Sequence, residues 1–202
     1  MSTGSVKNVL CISGTSRPEN FTARALAVVA SELGRLDVQH AVLDARELSL
    51  NFPGLPAGAD AARLQEAVSQ ATGVILASPE YHGGYCAMVK LILENLGFPS
   101  RLAGKPMALL GVAAGRIGAI KSLEQLKNVC SHMGAIVVPG AVSIAGVRSV
   151  FDDEGNCLDE GSEKALRGLA GAMTDFIEHF VCPRYVLEEM VRHDGPPWAT
   201  TL

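Results

Sequence analysis

Five short apolar runs alternate with stretches of helical period along this chain. No other sequence feature restricts the fold as much. The runs occupy residues 8–13, 38–43, 73–78, 107–112 and 135–138. Most are near-continuously apolar rather than alternating, which is the pattern of strands buried on both faces of a parallel sheet. Between them, Ala25, Leu26, Val29 and Leu33 share one helix face, and Leu64 and Val68 stand four apart within 59–70. Tyr85, Met88, Val89, Ile92, Leu93 and Leu96 recur at helical spacing, as do Ile120, Leu123, Leu126, Cys130 and Met133. A last stripe runs through 163–180 by way of Leu166, Leu169, Met173 and Phe180. Five such alternations predict an α/β fold with a parallel sheet and right-handed crossovers. A (β/α)₈ barrel needs eight repeats and about 250 residues; this chain has 202. Five repeats suit a doubly wound five-stranded parallel sheet of order 2-1-3-4-5. One domain is expected over 1–182, followed by a tail, 183–202, read as a brief helix and a loose end.

Composition narrows the function classes. With 48% apolar residues the chain is not disordered. A net charge of −4 argues against coating nucleic acid or an anionic membrane, so neither is expected as a partner. No apolar run approaches the roughly 18 residues of a membrane span, and no signal-peptide core follows the small polar residues at 1–7. Five cysteines, an odd number with no C-x-x-C spacing, read as free thiols in a reducing compartment. A cytoplasmic protein is therefore expected. The five histidines are scattered, and no metal site is expected.

In a sheet of this kind ligands bind beyond the carboxyl ends of the strands, at the switch point between strands 1 and 3. Strand 1 runs into Gly14-Thr15-Ser16-Arg17-Pro18-Glu19-Asn20-Phe21-Thr22, and a helix follows. Helix N-termini offer free N–H groups and partial positive charge. Thr15, Ser16, Asn20 and Thr22 can donate hydrogen bonds there, and Arg17 supplies countercharge, so a phosphate monoester suits the loop. The same residues also describe an ordinary loop with Asn20 as helix N-cap. The loop matches neither the dinucleotide fingerprint nor the P-loop. Strand 3 runs into Pro79-Glu80-Tyr81-His82-Gly83-Gly84-Tyr85, and Pro79 is expected to end it. Tyr81, His82 and Gly83 are candidates for contact with a flat ligand, whereas Tyr85 falls on the core-facing stripe. A third glycine cluster, 111–118, can expose backbone N–H groups or serve as a plain connection.

Together these loops resemble the NAD(P)H-dependent FMN reductase family of flavodoxin-like proteins, which includes quinone, chromate and azo-dye reductases. The family's first motif, roughly G-S-x-R-x-x-S-x-N, corresponds to Gly14 through Thr22. The second, roughly P-E-Y-N-x-S-x-P-x-x-L-K-N, corresponds to Pro79 through Leu91. The similarity covers about residues 7–180. Departures include Asn20 and Thr22 for Ser and Asn, His82 for Asn, Gly84 for Ser, Cys86 for Pro, and a serine of the third loop replaced near Ala113. The resemblance implies non-covalent FMN, with NADPH or NADH as co-substrate. Its phosphate would lie on Thr15, Ser16, Arg17, Asn20, Phe21 and Thr22. Its ring would lie against Pro79, Glu80, Tyr81, His82, Gly83, Ala113 and Gly115. The resemblance also implies a small-molecule electron acceptor and a homodimer or homotetramer. The flavin carries the chemistry, so no protein acid or base is assigned. The alternative is a flavodoxin-type electron carrier; such carriers are usually much more acidic and sandwich the ring between aromatics, which make up 5% of this chain. A phosphoacceptor signalling domain needs acidic residues where Ser13 and Ser78 stand, and is set aside.

Overall fold

The computed structural model describes residues 7–184 together with 187 and 188. The parallel sheet is built from β1 (Asn8–Ser13), β2 (Gln39–Asp44), β3 (Gly73–Tyr81), β5 (Pro106–Val112), β6 (Ile136–Val137) and β7 (Val142–Ile144). A two-residue strand, β4 (Gly84–Tyr85), folds back on β3. The order is β2-β1-β3-β5-β6, with β7 also on β5. Leaving out the hairpin strand and counting β6 and β7 as one broken strand recovers the expected 2-1-3-4-5 order of a flavodoxin-like sheet.

Side chains alternate across β1, and the alternation divides the core. Val9 and Cys11 face α1 (Phe21–Arg35) and α5 (Glu160–Phe176), where they meet Leu26, Val29, Leu169 and Met173. Leu10 and Ile12 face α2 (Ala61–Gln70), α3 (Ala87–Glu94) and α4 (Ile120–His132), among Leu64, Val68, Val89 and Ile92. Both faces are therefore dry, which accounts for the unbroken apolar runs. Glu32 ties α1 to α5. Its carboxylate, 7% exposed, lies 2.6 Å from Arg35 and 3.0 Å from Arg167. Those guanidiniums, Arg35 first, hold its pKa below the usual carboxylate range.

Three expectations need correction. Pro79 does not end the third strand; it pairs with Val112 inside β3. The reason is local: Ala77 turns its carbonyl toward Gly14, and Pro79, two residues on, faces the same edge. The register of β1 on β3 stops at Ser13–Ala77, so no ladder bond is lost where the proline lacks its N–H. The fifth strand is not a single run over 135–138. Ile136–Val137 pairs with the start of β5 and Val142–Ile144 with its end. Pro139, which has no N–H, and Gly140, at φ +88°, part the two. Tyr85 belongs to the hairpin rather than to α3, and is only partly buried against the second core layer. Most of the tail expected at 183–202 lies outside the described residues; 183–184 and 187–188 are helical.

Candidate functional site

The site lies at the carboxyl edge of the sheet, and Gly14 sets its first wall. A Cβ on this residue would stand 2.3 Å from Val89 Cγ2 and 2.7 Å from the Ala77 carbonyl oxygen, so only glycine lets the loop lie this close to β3. Gly14 N donates to Ala77 O at 2.9 Å, and the Cys86 thiol donates to Gly14 O at 2.8 Å. Cys86 thus occupies the family's proline position as a buried strut. Thr15, also buried, accepts from Arg17 N at 3.3 Å.

Asn20 caps the helix that follows it. Its Oδ1 accepts from Ala23 N at 2.7 Å as the cap of α1, and its Nδ2 donates to Arg17 O at 2.9 Å. Asn20 thus caps α1, and the second hydrogen of its Nδ2 is left for a ligand in the cleft that the residue lines. The first turn of α1 carries no acidic residue, so its positive end is not neutralised internally. At the end of β1, Ser13 Oγ is buried with no hydrogen-bond partner among the described residues.

A cleft of about 260 Å³ opens above this helix end. Arg17, Asn20, Phe21 and Thr22 line it from the first loop, and Pro79, Glu80 and Tyr81 from the end of β3. Thr15 and Ser16 belong to the same loop but do not line the cleft. Val112 and Ala114 close the third side. Ala113 is not at the surface of the cleft: its N donates to Ile144 O and its O accepts from Val147 N. Gly115 does not line the cleft either, and its carbonyl accepts from Gly118 N and Gly146 N. The exposed residues that follow the end of β5, Ala114 through Ile117, have backbone N–H groups without protein partners among the described residues.

His82 and Gly83, at φ 51° and 74°, are the two central residues of the β3–β4 turn. Both being positive, this is the primed turn that suits a two-residue hairpin. The residues sit at the hairpin tip, outside the cleft wall. The hairpin is braced from behind. Glu80 Oε2 accepts from Ser122 N at 3.0 Å, capping α4, which has no side-chain cap of its own. Gln125 Nε2 donates to Gly83 O at 3.0 Å. Glu80 is therefore a brace for the hairpin, with its carboxylate already committed.

Sequence reasoning missed the fourth wall, Val147 and Arg148, which stand on a 3₁₀ turn (Val147–Ser149) just past β7. The signal was present in the apolar Val142 and Ile144 followed by Gly146, the same strand-then-glycine pattern as at Gly14. Arg17 and Arg148 both line the cleft, and neither pairs with a carboxylate among the described residues. No group of His, Cys, Asp and Glu among the described residues can hold a metal ion. Burial pushes the Cys11 and Cys130 thiols up to about 12, so neither is a nucleophile.

The geometry fits FMN. The N-terminus of α1, with no acidic residue in its first turn, and the unpaired guanidinium of Arg17 meet at the cleft, a chemistry that suits a phosphate monoester. Pro79, Glu80 and Tyr81 from the end of β3 and Ala114 after β5 also line the cleft, a surface that suits a planar heterocycle. Comparison with known proteins agrees. Residues 7–148 match the model of the NADPH-dependent FMN reductase family, and the chain belongs to that family. It is thus a flavin-dependent oxidoreductase whose family uses FMN with NAD(P)H. It is 24% identical over 169 residues to a 2-hydroxy-1,4-benzoquinone reductase of Burkholderia sp, covering 79% of this chain and 90% of that protein. It is 29% identical over 101 residues to the NADH:(hydroxy)cinnamate reductase subunit CrdA of Vibrio ruber, which is 48% of this chain and only half of that protein's length. Among solved structures, the flavoenzyme NAD(P)H:(acceptor) oxidoreductase FerB of Paracoccus denitrificans superposes with a TM-score of 0.71 at 25% identity. The match covers 85% of this chain and 97% of FerB.

Proposed function

We propose that the chain binds FMN non-covalently in this cleft, takes reducing equivalents from NADPH or NADH, and delivers them to a small-molecule acceptor such as a quinone. The phosphate lies over the start of α1, and the ring lies between the β3–β4 hairpin and the loop after β5. The observation that carries this reading is the unneutralised N-terminus of α1 and the unpaired Arg17 opening into a cleft at the β1–β3 switch point.

Bound FMN supplies hydride acceptance and electron delivery; the chain's residues bind, orient and screen. Arg17 and the first amides of α1 hold the phosphate, with the Thr22 hydroxyl as a further donor. The backbone N–H groups of 114–117 form a preorganised donor array for the ring edge. Tyr81, 39% exposed, walls the ring side, and Glu80 keeps the hairpin in place through α4. We assign no side chain of the cleft as an acid or base; the protein's part is to orient rather than to protonate.

The quinone reading draws on the Burkholderia relative, which covers most of both chains. Residues 1–182 form the flavin-binding domain in this proposal, and the segment beyond is a separate tail. A homodimer or homotetramer is supported by Phe52, Leu55 and Phe98, all well exposed on two loops that Asn95 Nδ2 joins through Asn51 O. The cytoplasm is supported by five cysteines that are all free. Among the described residues no helix is long and apolar enough to cross a membrane. The test is steady-state NADPH oxidation by the FMN-loaded chain with a benzoquinone acceptor under nitrogen. Turnover that requires both FMN and quinone is the expected result. A chain that binds FMN yet consumes neither NADPH nor NADH overturns the proposal in favour of an electron carrier.

A further inference from the structure

With a phosphate bound, the cleft would hold more negative charge than one arginine can balance. Arg17, Glu19 and Glu80 line it, and since Glu80 is already engaged by Ser122 N, the Glu19 carboxylate alone matches Arg17. A phosphate monoester adds about −1.5 to −2 at neutral pH. Arg148 lines this cleft from the 3₁₀ turn after β7, and no carboxylate among the described residues engages it.

The backbone that carries Arg148 is fixed. Gly146 N donates to Gly115 O at 3.0 Å, and Val147 N donates to Ala113 O at 3.1 Å. Val147 is 3% exposed in the α1–α5 core layer, with Phe21 packed against that layer. The turn is thus anchored to both the β5 loop and the start of α1, while the arginine itself stays exposed. A planar guanidinium can fork onto two phosphate oxygens, and a rigid turn removes the backbone's share of the ordering cost. Gly146, at φ 55°, sets the direction of that turn.

We infer that Arg148 is a second phosphate-binding residue, which together with Arg17 makes the site selective for phosphorylated over unphosphorylated flavin. The inference rests on the placement of the FMN phosphate over α1. It assigns a role to a residue outside both sequence motifs.

The test is fluorescence titration of the flavin-stripped full chain with FMN and, separately, with riboflavin. Wild type, Arg148→Gln, Arg148→Lys and Arg17→Gln are compared at two salt concentrations. Arg148→Gln is expected to weaken FMN by about tenfold or more, the usual cost of one charge-assisted partner. Riboflavin affinity should change by less than about twofold, since the lost partner is an anion contact. The salt dependence of FMN binding should become shallower. Arg148→Lys, which keeps the charge and loses the fork, should retain part of the preference for FMN. Unchanged FMN affinity in Arg148→Gln, equal weakening of both flavins, or a lysine variant no better than the glutamine one would each overturn the role. If Arg17→Gln discriminates between the flavins and Arg148→Gln does not, this inference alone falls. If neither variant alters the FMN-to-riboflavin ratio, the phosphate is not on this loop and the proposed site falls too.

Discussion

Substituting Gly14 with alanine tests whether packing against β3 holds the phosphate loop. The added methyl would sit 2.3 Å from Val89 Cγ2 and 2.7 Å from the Ala77 carbonyl oxygen, where ordinary contacts need about 3.5–4.0 Å. Gly14 has no left-handed φ, so the effect is crowding rather than backbone strain. Val89 belongs to the buried core and cannot swing away, and the Ala77 oxygen is backbone. The loop must therefore lift by about 1 Å, loosening the 2.9 Å bond from Gly14 N to Ala77 O. Overpacking of this kind costs about 1–3 kcal/mol, and the weakened hydrogen bond adds about 1 kcal/mol. For a domain of this size each kcal/mol lowers Tm by roughly 2–4 °C, so a fall of about 4–16 °C is expected in thermal unfolding followed by circular dichroism. FMN affinity should fall alongside, because the first turn of α1 moves with the loop. Combining Gly14→Ala with Val89→Ala removes one clash and leaves the other, so the double variant should lose less than the two single losses added. A Gly14→Ala protein that melts with wild type and binds FMN equally well would refute the packing argument.

Three further outcomes follow from individual residues. Glu80→Gln removes a charged cap from α4 and should lower stability by about 0.5–2 kcal/mol in denaturant unfolding; no loss would show that α4 does not need the carboxylate. His82→Asn should stabilise the β3–β4 turn by a few tenths of a kcal/mol, since asparagine tolerates positive φ better than histidine. The same variant should leave the pH dependence of the flavin midpoint potential unchanged, and a shifted curve would put the imidazole beside the ring. The pKa of Glu32 is depressed in the folded state by Arg35 and Arg167. Its contribution is therefore present above the unfolded carboxylate pKa of about 4.3 and lost as pH falls through the folded value. Glu32→Gln should lower Tm at neutral pH and flatten its decline in acid; parallel Tm–pH curves for the two proteins would contradict the network.

The sheet was legible because both its faces are buried. Val9, Leu10, Cys11 and Ile12 all need dry surroundings, and an unbroken run of such residues admits few alternatives. The first loop was legible for a similar reason, since few structures need a glycine, hydroxyls and an arginine directly before a helix. What escaped was set by tertiary context. Pro79 reads as a strand terminator until the end of β1 is known. Pro139 and Gly140 hide the continuation of the last strand, and with it Val147 and Arg148. Asn20 could be read as helix cap or ligand donor from the sequence, and the bonds to Ala23 and Arg17 establish the cap. The hairpin strands are too short for periodicity to show, and His82 at a positive φ is not the residue a primed turn usually takes.

Amide hydrogen exchange of the full chain with and without saturating FMN tests the placement of the site most directly, because it reports every wall in one measurement. The account expects slowed exchange in 15–22, 80–83 and 114–117, and in 146–149 if Arg148 closes on the phosphate. It expects little change in the cleft at the opposite edge of the sheet, lined by Lys105, Ile136 and Phe180 among others. Protection concentrated around that second cleft, with the α1 loop exchanging as fast as before, would contradict it.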